Sequence, residues 1–433
     1  ILIFSVCFYK SLKDKQNISI ESINDNRAMA FYIEQDGEYE NTTVIPTSGY
    51  KLSNDSYCKV NGEKDDSITL TYKNGKVGVS NLSKPTKCYL YFAKSKAIDT
   101  IIGDTTNIEE KIEFTGIATE SDTGVYSAPD DYGTSYYFRG VEDKLNNWVE
   151  FAGFYWRIIR VNGNGTIRRI YAGAANGAIS SSNKTGTTTQ IDGTTYMYNH
   201  TNNDNAYVGY MMGIPLNGDY PIQNETTIHS GSYVDAHSNV YDSDAKKIID
   251  NWYKTNIVDK GYSDKIDINT GFCNNGQTAS GISSGYSTAR YNQFTTSYIS
   301  WGSVYANGWK SIQTPTLQCT NKERDLFTLN NANIGNKKLI YPVGMITSDE
   351  AIFAGAFSDD RNKNYYLYTN QNYWTMSPWY YNNAATIGYI NGGDVRAAAV
   401  AFSLCDLRPV INLRADTIFS GDGSEANPYK ITE

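Results

Sequence analysis

The sequence predicts an α+β protein in two parts, a small all-β module followed by a larger mixed domain. Three observations carry this reading. Short alternating segments broken by Gly turns fill residues 42–96. A strand–turn–strand signal occupies Phe154 to Tyr171, with Asn162-Gly163-Asn164-Gly165 at its bend. Only two segments have helical spacing, one beginning at Ser243 and one at Thr347. The 433 residues exceed one domain of roughly 100–200, and 40% hydrophobic content is enough for a packed core.

Residues Ile1 to Tyr9 are almost wholly apolar and give way abruptly to Lys10, Lys13, Asp14 and Lys15. The stretch is shorter than the about 20 residues that cross a bilayer, so residues 1–9 read as the remnant of a signal peptide or membrane anchor. No small-residue cleavage site follows, which favours the anchor; a buried first strand is the alternative. Residues 10–41 read as a polar stalk or a first strand pair. In residues 42–96, SITLTYK alternates and is followed by Asn74-Gly75, a hairpin signal. Residues 97–135 have an acidic patch and then a Ser/Asp/Gly/Pro stretch, the composition of a linker. The larger domain covers 136–433.

Within it, three strands are expected at Trp148 to Phe151, Phe154 to Val161 and Thr166 to Tyr171. The main helix runs from Ser243, its cap, to Gly261, with Ile248, Ile249, Trp252, Tyr253 and Ile257 on one face. The second helix opens on a capping box, Thr347-Ser348-Asp349-Glu350, and closes at Gly355.

Six cysteines, none in a C-x-x-C pair, give no zinc-ribbon or thioredoxin-type spacing. The expected pairs are Cys58–Cys88 and Cys273–Cys319, each adding roughly 2–4 kcal/mol in an oxidising compartment. Cys7 lies in the apolar tail, and Cys405 reads as a core residue.

Composition bounds function. A net charge of −8 and a pI near 5.1 leave no basic face for nucleic acid. The 36 tyrosines against 15 phenylalanines, amid abundant Asn, Ser and Gly, match the chemistry of adaptable binding surfaces. A polar β-rich surface protein with no ligand has the same composition. The histidines, His200, His229 and His237, form no H-E-x-x-H motif, and no nucleophile elbow, P-loop or dinucleotide fingerprint occurs. Paired carboxylates for glycoside hydrolysis stay open. Asp359, Asp360 and Asp422 are loop acids that could hold Ca²⁺ but read as solvated charge. No metal or cofactor has motif support.

From Tyr136 onward the ordered motifs WVEFAGFYWRIIRVNGNGTIRRIY, DAKKIIDNWY, FCNN, YPVGMITSDEAIFAG, YLYTNQNYWTMSP, LRPVINLRAD and SGDGSEANPYKI resemble a group of surface proteins of gut Firmicutes and mycoplasma-like bacteria. The Cys88-YLYF segment is similar to a Tyr/Cys module they carry. The capped helix, the Trp-containing strand and the LRPV strand resemble the C-type-lectin-like fold of the formylglycine-generating-enzyme (sulfatase-modifying factor) relatives. That resemblance implies short antiparallel strands, two helices and long loops forming a binding face. It departs from the enzymes, which need a Cys pair where only Cys405 stands, and from calcium lectins, whose Glu-Pro-Asn loop and Trp-Asn-Asp strand are missing. The segment 379–406, between two scaffold motifs, is similar to the diversified stretch of diversity-generating-retroelement variable proteins.

The expectation is an extracellular cell-surface adhesin or receptor-like protein, not an enzyme, touching the membrane only through an N-terminal anchor. Its partner would be a glycan or surface protein, bound by exposed Trp379, Tyr380, Tyr381, Asn382, Asn383, Tyr389, Asn391, Asp394 and Arg396. Trp374, Pro378, Arg408 and Pro409 are assigned to scaffold. The rivals are a formylglycine-generating-type oxidoreductase and a structural coat protein.

Overall fold

The computed structural model describes residues 27–35, 37–46, 50–73, 76–81, 86–216, 230–279, 286, 296–299, 314–358, 360–382 and 384–432. It is mixed α+β, mostly sheet with few and short helices. It divides into two compact units: residues 1–100 with 418–420 and 432–433, and residues 101–417 with 421–431.

The smaller unit holds β1 (Arg27–Gln35), β2 (Glu38–Thr42), β3 (Tyr50–Leu52), β4 (Tyr57–Val60), β5 (Glu63–Lys64), β6 (Leu70–Lys73), β7 (Lys76–Val79) and β8 (Thr86–Lys94). β8 is the hub, with β1 parallel on one side and β3 and β4 antiparallel on the other. Strict alternation along it buries Cys88, Leu90 and Phe92 and leaves Lys87, Tyr89 and Tyr91 on the opposite face. Phe31, Ile45, Ile68 and Val77 complete the core. Cys58 and Cys88 are direct cross-strand partners, their Cα atoms 4.0 Å apart, and form a disulfide. The expected hairpin exists as β6 and β7; its Asn74-Gly75 turn lies outside the described residues.

β1 and β2 are the first strand pair expected as the alternative to a stalk, and the β1–β8 ladder ties them to the strands of residues 42–96. Part of the expected linker is sheet: β9 (Gly124–Asp130) pairs with β10 (Gly133–Arg139). Its Pro129 looked like a breaker, but β9 is an edge strand with only β10 as a full-length neighbour, where a missing N–H is tolerated.

In the larger unit β11 (Trp148–Phe151), β12 (Phe154–Val161) and β13 (Ile167–Ala174) fall where the sequence put them. The two-residue strands β14 (Met211–Met212), β15 (Tyr241–Asp242), β16 (Phe272–Cys273), β17 (Thr296–Ser297) and β18 (Leu326–Phe327) follow. Then come β19 (Tyr373–Tyr381), β20 (Ala385–Asn391), β21 (Asp394–Ala399) and β22 (Val410–Leu413); β23 (Phe419–Ser420) belongs to the smaller unit, and β24 (Tyr429–Ile431) returns to the larger. One sheet runs β22-β13-β12-β11-β24, with β10 also on β12; the second runs β17-β19-β20-β21. Cys273 and Cys319 form the second disulfide.

After a five-residue helix at Ala97–Ile101, within the expected linker, the helices of the larger unit are α1 (Tyr233–Ala236), α2 (Asp244–Tyr253), α3 (Lys322–Asp325) and α4 (Ser348–Ala354). Ser243 caps α2, its Oγ accepting the Lys246 N–H at 3.1 Å. α2 is shorter than expected. It widens into a π-turn at Lys254–Val258, where the Asn256 amide donates to the Trp252 carbonyl, and Ile257 turns fully inward. Ile248 is only half-buried, and Lys246 takes a buried place beside Asp250 at 2.6 Å and Asp242 at 3.2 Å. Among the described residues no helix is long and apolar enough to cross a membrane; residues 1–9 lie outside them.

α4 has the predicted box: Thr347 Oγ1 accepts the Glu350 N–H, and Glu350 Oε2 accepts the Thr347 N–H, both at 3.0 Å. Gly355 ends it at φ 128°. Glu350 has a second duty. Fully buried, it takes Arg168 Nε at 2.5 Å and Arg160 Nη2 at 3.3 Å, so one carboxylate joins α4 to β12 and β13. Burial pushes its pKa up, but the charges of Arg168 and Arg160 and the Thr347 N–H outweigh that and hold it below the usual range. At the other end of α4, Arg139 Nη1 donates to the carbonyls of Ile352 at 2.8 Å and Phe353 at 3.3 Å, where the helix dipole favours a cation.

Glu350→Gln retains a capping oxygen yet leaves buried Arg168 without its anion and Arg160 with only Asp130, 3.6 Å away. We expect it to cost about 3–5 kcal/mol in urea unfolding of the whole chain. A loss under about 1 kcal/mol would mean that the ion cluster does not hold α4.

Candidate functional site

The predicted face falls on the β19–β20–β21 sheet, which leads by a loop into Cys405. α4 packs on this sheet at Gly388, where an added Cβ would lie 2.3 Å from Ser348 Oγ and 3.0 Å from both Thr375 Oγ1 and Trp379 Cε3. Only glycine admits that approach. β20 and β21 are joined by Gly392 and Gly393, both at positive φ, the two-residue hairpin turn that matches strand twist.

The structure sorts the nine expected residues by burial. Tyr389, Asn391 and Arg396 lie together on the β20–β21 hairpin, the first two half-buried and Arg396 exposed. Tyr380 and Asn382 sit at the opposite end of the same hairpin stack, half-buried and exposed respectively. Asn383 lies outside the described residues. The expectation of exposure is corrected for three positions. Trp379 is 1% exposed because it fills the space beside Gly388 under α4. Tyr381 is buried, its hydroxyl donating to the Asn203 carbonyl at 3.2 Å. Asp394 is buried and paired with Arg396 Nε.

The group around Tyr389 is the best-formed part. Cross-strand register places Trp374, Tyr389 and Arg396 in one row. Trp374 is fully buried, its indole N–H donating to the Tyr196 carbonyl at 2.8 Å and its ring 6.1 Å from Tyr389. Burial raises the Tyr389 pKa, and the Cys405 thiol, Arg396, Asp394 and Arg361 lie within electrostatic reach. The row therefore has a rigid aromatic floor, a phenol that stays protonated, and an exposed guanidinium held by Asp394. Sequence reading missed Phe402 and Leu404, 60% and 57% exposed on the loop before Cys405. Their signal was available: two large apolar residues between small ones in AAAVAFSLC.

Cys405 is buried, and burial pushes its thiol up to about 12. Asp406 beside it is raised to about 6, again mainly by burial, with Gln190 donating to its Oδ1. Among the described residues no three His, Cys, Asp or Glu side chains gather as a metal site; Asp359 and His229 lie outside them. His200 pairs with Asp244 at the surface. His237 is buried, its Nδ1 2.9 Å from the Tyr233 carbonyl and its ring among Tyr233, Tyr286 and Tyr298.

Compared with protein-family models, curated proteins and solved structures, the chain matches none. The site is therefore read from its own chemistry.

Two outcomes follow from this placement. Trp379→Ala should cost about 3–5 kcal/mol in stability, read by thermal unfolding, in contrast to the surface substitutions below. Burial drops the His237 pKa from 6.5 to about 4. The unfolded chain thus takes up that proton first as pH falls, and the stability contributed by neutral His237 is present above pH 6.5 and lost progressively towards pH 4. Melting temperature measured from pH 7 to 4 should fall less steeply for His237→Gln than for the wild type; parallel curves would contradict the assignment.

Proposed function

We propose that the chain is an exported surface protein that binds a ligand through the Tyr389 row and the adjoining loop. The observation that carries this is one exposed cation and one half-exposed phenol, aligned by register over a buried tryptophan, with Phe402 and Leu404 exposed on the loop that leads to Cys405, whose thiol lies within electrostatic reach of Tyr389. Anchored aromatics flanked by arginine are what protein and glycan ligands meet at binding hot spots. Two disulfides accord with an oxidising, extracellular setting. The finer reading of the larger unit as a C-type-lectin-like scaffold belongs to the same proposal. It is supported by the order of its parts: capped α4, the Trp-containing β19, then the closing β22. A buried, neutral Cys405 supports binding over formylglycine-type oxidation, which needs a reactive thiol. Were the 379–406 stretch diversified, tolerance would fall on positions that are not buried, among them Tyr380, Asn382, Tyr389, Asn391, Arg396, Phe402 and Leu404, since the buried positions hold the sheet.

The test uses glycan and bacterial or host surface-protein arrays. Tyr389→Ala and Arg396→Lys, which keeps a cation for buried Asp394, should each weaken capture at least about tenfold, with thermal unfolding still cooperative. A wild-type chain that captures nothing on either array overturns the proposal.

A further inference from the structure

We propose that the solvent face of the smaller unit is a second binding site, for a neutral, hydroxyl-rich polysaccharide. It is built by β8, β4 and β1 and does not involve the Tyr389 row. Because β8 alternates, Tyr89 and Tyr91 stand on the face opposite Cys88, Leu90 and Phe92. Register sets Tyr57 against Tyr89 and Tyr32 against Tyr91. Both pairs stack, with ring centroids 4.9 Å apart at 20° and 4.6 Å apart at 14°. Tyr39 meets Tyr91 edge-on at 5.1 Å, and Lys59 Nζ lies 5.8 Å from the Tyr57 ring. Five tyrosines are thus fixed by one another outside the core, and binding would freeze few further rotamers.

The register leaves one gap. The β1 partner of Tyr89 is Ala30, whose methyl is too small to cover the ring face turned away from Tyr57. From this register we infer a slot beside Tyr89, where β1 offers a methyl at Ala30 and a full ring only two residues on, at Tyr32.

The chemistry of the rim selects the occupant. Lys59 and Lys87 flank the Tyr57–Tyr89 pair. Glu34 lies on the Tyr32 side, and the Tyr91 pKa is raised by burial first, then by the phenols around it, with Asp55 adding the least. A polyanion would be repelled by Glu34 and Asp55, and a polycation by the lysines. A lipid would strand the phenol hydroxyls. An uncharged sugar chain meets no such conflict: its apolar C–H face stacks on Tyr89, and its hydroxyls reach phenols, ammonium and carboxylate groups of either sign.

Native affinity electrophoresis of the full chain tests this, in gels carrying β-glucan, α-glucan, mannan or xylan, with polygalacturonate as the acidic control. At least one neutral gel should retard the wild type. Ala30→Arg, which fills the slot and leaves every ring in place, and Tyr89→Ser should each weaken retardation at least about tenfold. Tyr389→Ala should migrate like the wild type in that gel. The proposal is overturned if no neutral polysaccharide retards the chain, if only polygalacturonate does, if Ala30→Arg is retarded like the wild type, or if Tyr389→Ala abolishes retardation.

Discussion

One buried carboxylate organises the larger unit. Glu350 closes the capping box of α4 and at the same time neutralises Arg160 and Arg168 on adjacent strands. With Arg139 gripping the carbonyls at the other end, a helix of only two turns is fixed at both termini. Such a helix is marginal on its own; here its ends are satisfied by the sheet it packs on. Everything about the candidate face descends from that docking. α4 presses on Gly388, Gly388 makes room for Trp379, and the β19–β21 strands then present Tyr389 and Arg396 outward.

The abundance of tyrosine acquires a different meaning once the structure is known. Tyr137, Tyr155, Tyr207 and Tyr381 are buried, and their hydroxyls donate to the carbonyls of Lys111, Gly177, Pro215 and Asn203. A fold with long irregular segments has many carbonyls without a ladder partner, and each costs free energy if left dry. Tyrosine can fill a core and serve such a carbonyl in one side chain; phenylalanine cannot. Much of the composition that reads as binding surface is therefore interior chemistry, and the Tyr389 row and the Tyr57–Tyr89 and Tyr32–Tyr91 stacks are only part of the share that reaches the surface.

What could be read from sequence was whatever local chemistry decides. The strands around the Asn162–Gly165 turn, the Ser243 cap, the Thr347 box and both disulfides involve either neighbours in sequence or a residue type with one chemical option. What could not be read depends on partners that only the fold brings together, whether nine residues away or nearly two hundred. Glu350 looked like a cap because its other partners, Arg160 and Arg168, are far off in the chain. Trp379 looked exposed because nothing in YWTMSPWYY marks Gly388 as the space that receives it. Residues 124–130 looked like linker because Pro129 and the polar residues around it mask an edge strand. Arg169 is the extreme case: fully buried, lying 4.2 Å from the Phe151 ring and 4.8 Å from the Trp156 ring, in a strand whose two adjacent arginines would be expected to put at least one side chain in solvent.

The main sheet also constrains when the protein can fold. β11, at residues 148–151, takes β24, at 429–431, as its parallel neighbour, and β13 takes β22 from some 240 residues downstream. Two of its ladders therefore cannot form until residues 410–431 have emerged from the ribosome, and pairings so distant in sequence close slowly. The order in which the strands are made and the order in which they lie in the sheet thus differ: the edges of β11 and β13 that receive β24 and β22 wait while the residues between are synthesised.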